Sequence, residues 1–453
     1  MTNRRRWTQQ AWILLGAVDI ATERKQAEEE GRDLSSVEAE FDAVQQLELN
    51  SEADWQRAEA LLDAVQELPL VDGYAYEEPS DLKGIKAARP RAGMPAPRDG
   101  ALSPAELRDK ALGAWQGRAS GCLLGKPVEG RRSWGIRKYL ESQGRWPLDR
   151  YFSNNVDPAV AQECGFDIRR DGLYEEGITC MPEDDDTNYT ATGLALVKQS
   201  GKSFRPEHAA GLWLTNIPYI HVCTAERIAY KNLASGIGPP ESASHRNPYR
   251  EWIGAQIRAD FFGYVCPGDP ELAAELAWRD ACISHVKNGI YGEMWVAAML
   301  AAAYVCDDVK TVIRAGLGQI PAKCRLTENI ETIIALRESG ASFDEAIADV
   351  RTRWNEDSAH DWCHTISNAE VCAVSLLWGD LDFEKSICMS VMPGFDTDCN
   401  GATVGSVVGL MLGAEKLPAK WIDPMNDTLI TGVAGYHRVS LTQMADETVE
   451  LIG

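Results

Sequence analysis

The stretch Met392-Pro393-Gly394-Phe395-Asp396-Thr397-Asp398-Cys399-Asn400-Gly401-Ala402-Thr403-Val404-Gly405 decides how the chain is read. Asp396 and Asp398 stand two apart, with glycine before and after, between two apolar helical runs. A Gly-Phe-Asp-Thr-Asp segment can turn tightly and point both carboxylates into one space. It is equally a loop with an N-capping Asp that leads into a glycine-faced helix. In that helix Gly401, Gly405, Gly409 and Gly413 recur at four-residue spacing. The same spacing appears in Gly117, Gly121 and Gly125, on a segment opened by Ser103-Pro104-Ala105-Glu106. Ser at the N-cap, Pro at the first helical position and Glu two residues later form a helix start. Glycine every fourth residue leaves one helix face smooth enough for another backbone or a ligand to approach.

A second acidic run, Glu183-Asp184-Asp185-Asp186-Thr187, joins an irregular segment to an apolar helix. Four consecutive carboxylates repel one another, and a helix N-terminus eases that cost. The plain reading is a solvated, over-capped helix start. The chemical reading is a hard-cation site, because converging carboxylates suit Mg²⁺, Mn²⁺ or Ca²⁺. Two smooth helices and two carboxylate loops together predict a shared pocket.

Working outward, apolar residues at helical spacing predict helices over most of residues 5–70 and again from Asp186 onward, including 252–262, 270–286, 293–305, 367–378 and 401–412. Residues 130–180 and 215–250 read as irregular. No alternating strand series and no βαβ rhythm is present, so the fold class is an all-α multi-helix bundle. Residues 1–100 read as an N-terminal helical appendage, ending in a linker rich in Pro, Gly and charge that begins near Glu77. Residues 101–453 read as a second, larger all-α domain. Lys and Arg number 45 against 68 Asp and Glu, a formal net charge of −23, which argues against nucleic acid as a partner. The 12 cysteines are scattered with no C-x-x-C pair, as reduced thiols of a cytoplasmic protein are. The apolar run Ala11–Val18 is short and broken by Asp19, so neither a signal peptide nor a membrane span is expected. The pattern leaves the oligomeric state open.

Gly121 to Glu129, Glu183 to Thr187 and Gly394 to Gly413 together resemble the ADP-ribosylglycohydrolase family, which includes the dinitrogenase reductase-activating glycohydrolase and the J1 crystallins. The family's motifs are G-D-A-L-G-x-P-x-E, T-D-D-T and G-G-D-T-D-T, in that order. Gly254 to Asp260 is similar to its N-G-x-x-M-R-x-x-P segment, and Ser284-His285 stands where a Thr-His pair is expected. The resemblance covers roughly residues 105–420 and implies an all-α fold with one or two Mg²⁺ or Mn²⁺ ions, Ca²⁺ also being compatible. It implies metal ligation by Asp184, Asp185, Asp186, Asp396, Asp398 and Cys399. Glu129 or Asp186 becomes the general base, and His285, Arg258, Gly254, Asn288 and Tyr291 become substrate-binding residues. Four departures stand out: Asp184 for Thr, Cys399 for Thr, Cys122 for Asp and Phe395 for Gly. A thiol is a poor exchange for a hydroxyl toward a hard cation. The implied activity is metal-dependent hydrolysis of the ribosyl C1′ bond of an ADP-ribosylated acceptor. The alternatives are the same centre acting on a small ribosylated metabolite, nucleoside or other sugar, and a non-catalytic binding protein.

Overall fold

The computed structural model describes residues 14–90 and 102–453. The sequence readings that fall on Trp12 and on Arg98-Asp99-Gly100 lie outside them. Among the described residues there are 22 α-helices and one two-stranded antiparallel pair, Leu429–Ile430 against Arg438–Val439. The chain is all-α, as its periodicity predicts. No described helix is long and apolar enough to cross a membrane.

The interior is organised by the two glycine-faced helices, Pro104–Gly125 and Thr397–Leu412. Ser103 caps the first as expected: its hydroxyl accepts from Glu106 N, and the Glu106 carboxylate accepts from Ser103 N at 2.8 Å. The helices run antiparallel with their glycines facing. Gly117 lies against the Gly405 carbonyl and Gly121 against the Gly401 carbonyl, so a Cβ at either position would land on a backbone oxygen. Backbones this close gain dispersion contact along the whole seam, and no side chain larger than hydrogen fits there. Around this pair stand two helices buried along nearly their full length, Lys287–Ala303 and Thr365–Gly379. The C-terminal helix Leu441–Ile452 closes one flank, where Trp115 Nε1 donates to Thr448 Oγ1 at 3.0 Å.

Two segments read as irregular contain helices, Ser133–Ser142 and Thr224–Ala234. Their apolar residues, such as Ile136, Tyr139 and Leu140, are too few to show a period but are enough to bury one face. Residues 252–262 form no single helix; the path breaks into a turn at Gln256–Arg258 and a short helix at Asp260–Tyr264. The linker also carries a helix, Leu82–Ala88, capped by Asp81 and anchored through buried Ile85.

The N-terminal helices Ala17–Glu29, Glu38–Gln45 and Glu52–Gln66 close on a core of their own, built from Ile20, Phe41, Val44, Trp55, Leu61, Leu62 and Val65. Charge fastens them to the larger core. Asp19 pairs with Arg227 at 2.6 Å, Glu23 and Glu30 with Arg250 at 2.7 and 2.6 Å, and Glu78 with Arg325 at 2.9 Å. All of these except Asp19 and Arg227, at 5%, and Arg325, at 10%, have side chains no more than 2% exposed.

Candidate metal centre

The first wall of the site is the first glycine helix and the turn after it. Each of three seam glycines is followed by a polar residue, giving Arg118, Cys122 and Lys126 one turn apart on one face. The second wall is the start of the helix Asp185–Ser200. Asp184 is its N-cap: Oδ1 accepts from Asp186 N at 2.9 Å, and Oδ2 is ion-paired with Lys126 Nζ. Asp186 is fully buried. Its Oδ1 accepts from Arg118 at 3.1 Å, and its Oδ2 lies 3.9 Å from Cys122 Sγ. The other end of the Arg118 guanidinium meets Asp260 at 2.8 Å.

The third wall is the Gly-Phe-Asp-Thr-Asp turn. Gly394 and Phe395 both take positive φ, +80° and +61°. For Phe395 that costs about 1–2 kcal/mol, which burial of its ring offsets. Asn368 Oδ1 accepts from Asp396 N at 3.0 Å and from Asn400 Nδ2 at 2.8 Å. Thr397 Oγ1 donates to the Gly125 carbonyl at 2.9 Å, tying the turn to the end of the first glycine helix. Asp396 and Asp398 are in hydrogen-bonding contact, and Cys363 Sγ lies 3.3 Å from Asp396 Oδ2. Asp398 Oδ1 is buried without a hydrogen-bond partner. The ligand atoms of Asp186, Asp398 and Cys399 lie within 4.8 Å of one another, as do those of Cys122, Asp184 and Asp186.

Six carboxyls (Glu129, Asp184, Asp185, Asp186, Asp396 and Asp398) thus crowd around Lys126 and Arg118, and Arg118 is divided between Asp186 and Asp260. The crowding shows in their affinities for protons. Burial and the Asp396 charge push Asp398 well up; burial and the Asp184 charge do the same to Asp185. Asp186 also rises, through burial, although Arg118 opposes it. Asp396 rises to about 7 by burial and the charge of Glu129. Asp184 alone goes the other way: burial acts against it, but Lys126 holds it below the usual carboxylate range. Glu129 is exposed, and the charge of Asp398 and then partial enclosure raise it to about 8. A buried surplus of acid of this size is relieved by protonation or by a bound cation.

A family model described as ADP-ribosylglycohydrolase matches residues 103–453. The chain belongs to the ADP-ribosylglycohydrolase family. Among solved structures it is similar to one described as an "ADP-ribosylglycohydrolase-related protein complex", at 18% identity and a TM-score of 0.47, covering 77% of this chain and 98% of that one. No curated protein matches it. The helical appendage lies outside the matched residues.

The structure brings Glu129, Asp184, Asp185, Asp186, Asp396, Asp398 and Cys399 to one place. The expected substrate-binding residues have their polar atoms engaged by other partners. Arg258 is boxed by Asp280 at 2.5 Å, Glu226 at 2.6 Å and Glu293 at 3.5 Å, and stacks on Trp213 at 4.9 Å. Gly254 lacks a side chain because the Glu226 carboxylate occupies that space. His285 is fully buried, its Nδ1 2.8 Å from Ser284 Oγ. Asn288 and Tyr291 lie under the linker: Asn288 Nδ2 donates to Glu78 at 2.8 Å and the Tyr291 hydroxyl to the Pro79 carbonyl at 2.5 Å. Sequence reasoning missed Arg118, Lys126, Cys363, Asp260 and Asn368. Arg118 and Lys126 had a signal: each follows a seam glycine, as Cys122 does. Asp260 ends the Gly254–Asp260 segment that resembles a family motif, whereas Cys363 and Asn368 reach the site only through tertiary contact.

The donor set fits a divalent cation by its excess charge and by the unpartnered Asp398 oxygen. Its thiols set it apart from an all-oxygen site.

Proposed function

We propose that the protein is a metal-dependent glycohydrolase that cleaves the ribosyl C1′ bond of an ADP-ribosylated acceptor. The observation that carries this reading is the carboxylate cluster, in which buried Asp186 and Asp398 stand with exposed Glu129. Asp186, Asp398 and Cys399 would hold the cation, which when bound supplies Lewis acidity for orienting ribose hydroxyls and water. Of the two candidate bases, Glu129 suits the role. It reaches solvent, and an exposed carboxylate beside the cluster can take a proton from water. Asp186 is enclosed and engaged by Arg118, so it acts as ligand and not as base. The neighbouring carboxylates present negative potential to the oxocarbenium character that develops at C1′.

The test is incubation of metal-stripped protein with an ADP-ribosylated arginine peptide, with and without added divalent cation, followed by chromatography of released ADP-ribose. Release that needs the cation and falls about 10²–10⁴-fold in Glu129→Gln is expected. Turnover of small ribosides alone would replace the ADP-ribosyl reading, and no turnover of either would remove the hydrolase.

A further inference from the structure

Resting on that reading of the cluster as a metal centre, we propose that it takes one thiophilic divalent cation, of the Zn²⁺ or Co²⁺ class, through Cys399, and that the Lys126 ammonium fills the place of a second ion. Three observations carry this. First, Cys399 shares with Asp186 and Asp398 a set of ligand atoms within 4.8 Å of one another. That spread suits an ion with metal–sulfur and metal–oxygen distances of about 2.0–2.3 Å. Second, those carboxylates have donor capacity to spare. Asp398 Oδ1 is buried with no partner, and Asp186 Oδ2 has only the distant Cys122 thiol beside it. Third, the adjoining group of Cys122, Asp184 and Asp186 is already served. Both Asp184 oxygens are engaged, Oδ2 by Lys126 and Oδ1 by Asp186 N. The ammonium supplies there the positive charge that an ion would bring.

The thiol decides the class of ion. Mg²⁺ binds oxygen in near-octahedral geometry and gains little from sulfur, whereas thiolate selects borderline and soft cations. On binding, the S–H bond of Cys399 breaks, its electron pair forms the sulfur–metal bond, and its proton leaves to solvent. Cys363 stands beside Asp396, outside both groups of ligand atoms.

The experiment is a Co²⁺ titration of the metal-stripped full chain, followed by the near-ultraviolet sulfur-to-cobalt charge-transfer absorption, with Mg²⁺ as competitor. One equivalent of Co²⁺ with that band is expected, undisplaced by equimolar Mg²⁺. Cys399→Ser should lose the band and bind Co²⁺ at least about 10-fold more weakly. Cys122→Ser should keep it, and Lys126→Met should raise the stoichiometry from one to two. A wild-type protein with no band, a band that survives in Cys399→Ser, or displacement by equimolar Mg²⁺ overturns the proposal. The wild-type competition needs no variant to fold. Ribosyl hydrolysis with Mg²⁺ and no band would sink this inference alone. A band without hydrolysis under any cation would sink the hydrolase reading alone.

Discussion

The protein buries acid in two regions and treats it in opposite ways. Along the seam between the N-terminal helices and the larger core, each buried carboxylate meets a base: Asp19 meets Arg227, Glu23 and Glu30 meet Arg250, and Glu78 and Glu251 meet Arg325. Around the two carboxylate loops, six carboxyls crowd around Lys126 and Arg118. Matched charge makes a joint, and surplus charge makes the receptor for a cation that we propose. The contrast extends to a decoy. Glu29, His360 and His364 also place three ligand-type atoms within 4.8 Å of one another, at the seam. There, however, His360 Nδ1 accepts from Trp252 Nε1 at 3.1 Å and His364 Nδ1 accepts from Ile366 N at 3.1 Å. Each ring therefore carries its proton on Nε2, the nitrogen turned to Glu29 at 3.1 and 3.5 Å. A metal-bound histidine needs the reverse, with its far nitrogen donating. This triad holds a carboxylate in place.

The largest effect should come from breaking the joint. Arg250→Ala strands Glu23 in the interior and leaves Glu30 to Lys287 at 3.0 Å, and loss of one partner from a buried ion pair costs about 3–5 kcal/mol. Urea denaturation of the variant should show that loss, with the cation response intact. A loss under about 1 kcal/mol would mean that the seam charges are dispensable. Asp398→Asn probes the other region and should act in two directions. Without cation it should stabilise the protein, because one of the crowded charges is gone. With cation at 100 times the wild-type Kd, the stabilisation of about 2.7 kcal/mol expected for wild type should vanish. Thermal shifts of stripped protein, with and without cation, read both; a variant that keeps the full cation shift removes Asp398 from the ligand set.

Much of the receptor was legible in the sequence because its signals are local. Four-residue glycine spacing announces a helix–helix seam, and runs such as Asp184-Asp185-Asp186 announce themselves. The joint was not legible. Asp19 and the charged stretch Glu23 to Arg32 carry no local sign of their partners, because the arginines that pair with them lie far along the chain, 208 residues for Asp19–Arg227 and 227 for Glu23–Arg250. For the same reason Asn288 and Tyr291 read as substrate-facing, when it is the linker at Glu78 and Pro79 that takes up their polar atoms. Arg258 follows a motif, but nothing local reveals that Asp280, Glu226 and Glu293 already surround it.

A smaller effect should separate the regions by pH. Burial and the charge of Arg258 hold His285 well below its usual range, and burial holds His364 down to about 3 despite Glu29. Both stay neutral in the fold and gain a proton in the unfolded chain. Below pH of about 6.5 the unfolded state thus binds more protons, and stability falls as pH falls, by up to about 1.4 kcal/mol per pH unit for each histidine. Glu29 adds to this below about 4.5: burial opposes it, yet the hydrogen bond it accepts from His360 lowers it to about 2. Replacing His364 with Gln should flatten the slope between pH 6 and 4 by one histidine's share. An unchanged slope would place its titration elsewhere.

The smallest effect tests the decoy directly. If the Nδ1 donors are what exclude a metal from Glu29, His360 and His364, wild-type protein should bind no Zn²⁺ there, and His360→Gln should leave the Zn²⁺ stoichiometry unchanged. Trp252→Phe removes the indole N–H that fixes the His360 ring. That ring can then carry its proton on Nδ1 and offer the Nε2 lone pair toward Glu29, while His364 stays fixed by Ile366 N. A weak additional Zn²⁺ equivalent should therefore appear in Trp252→Phe and disappear again when His360→Gln is added. Binding at His360 in the wild-type protein would show that hydrogen-bond direction does not divide the two regions, and would leave surplus charge as the sole difference between them.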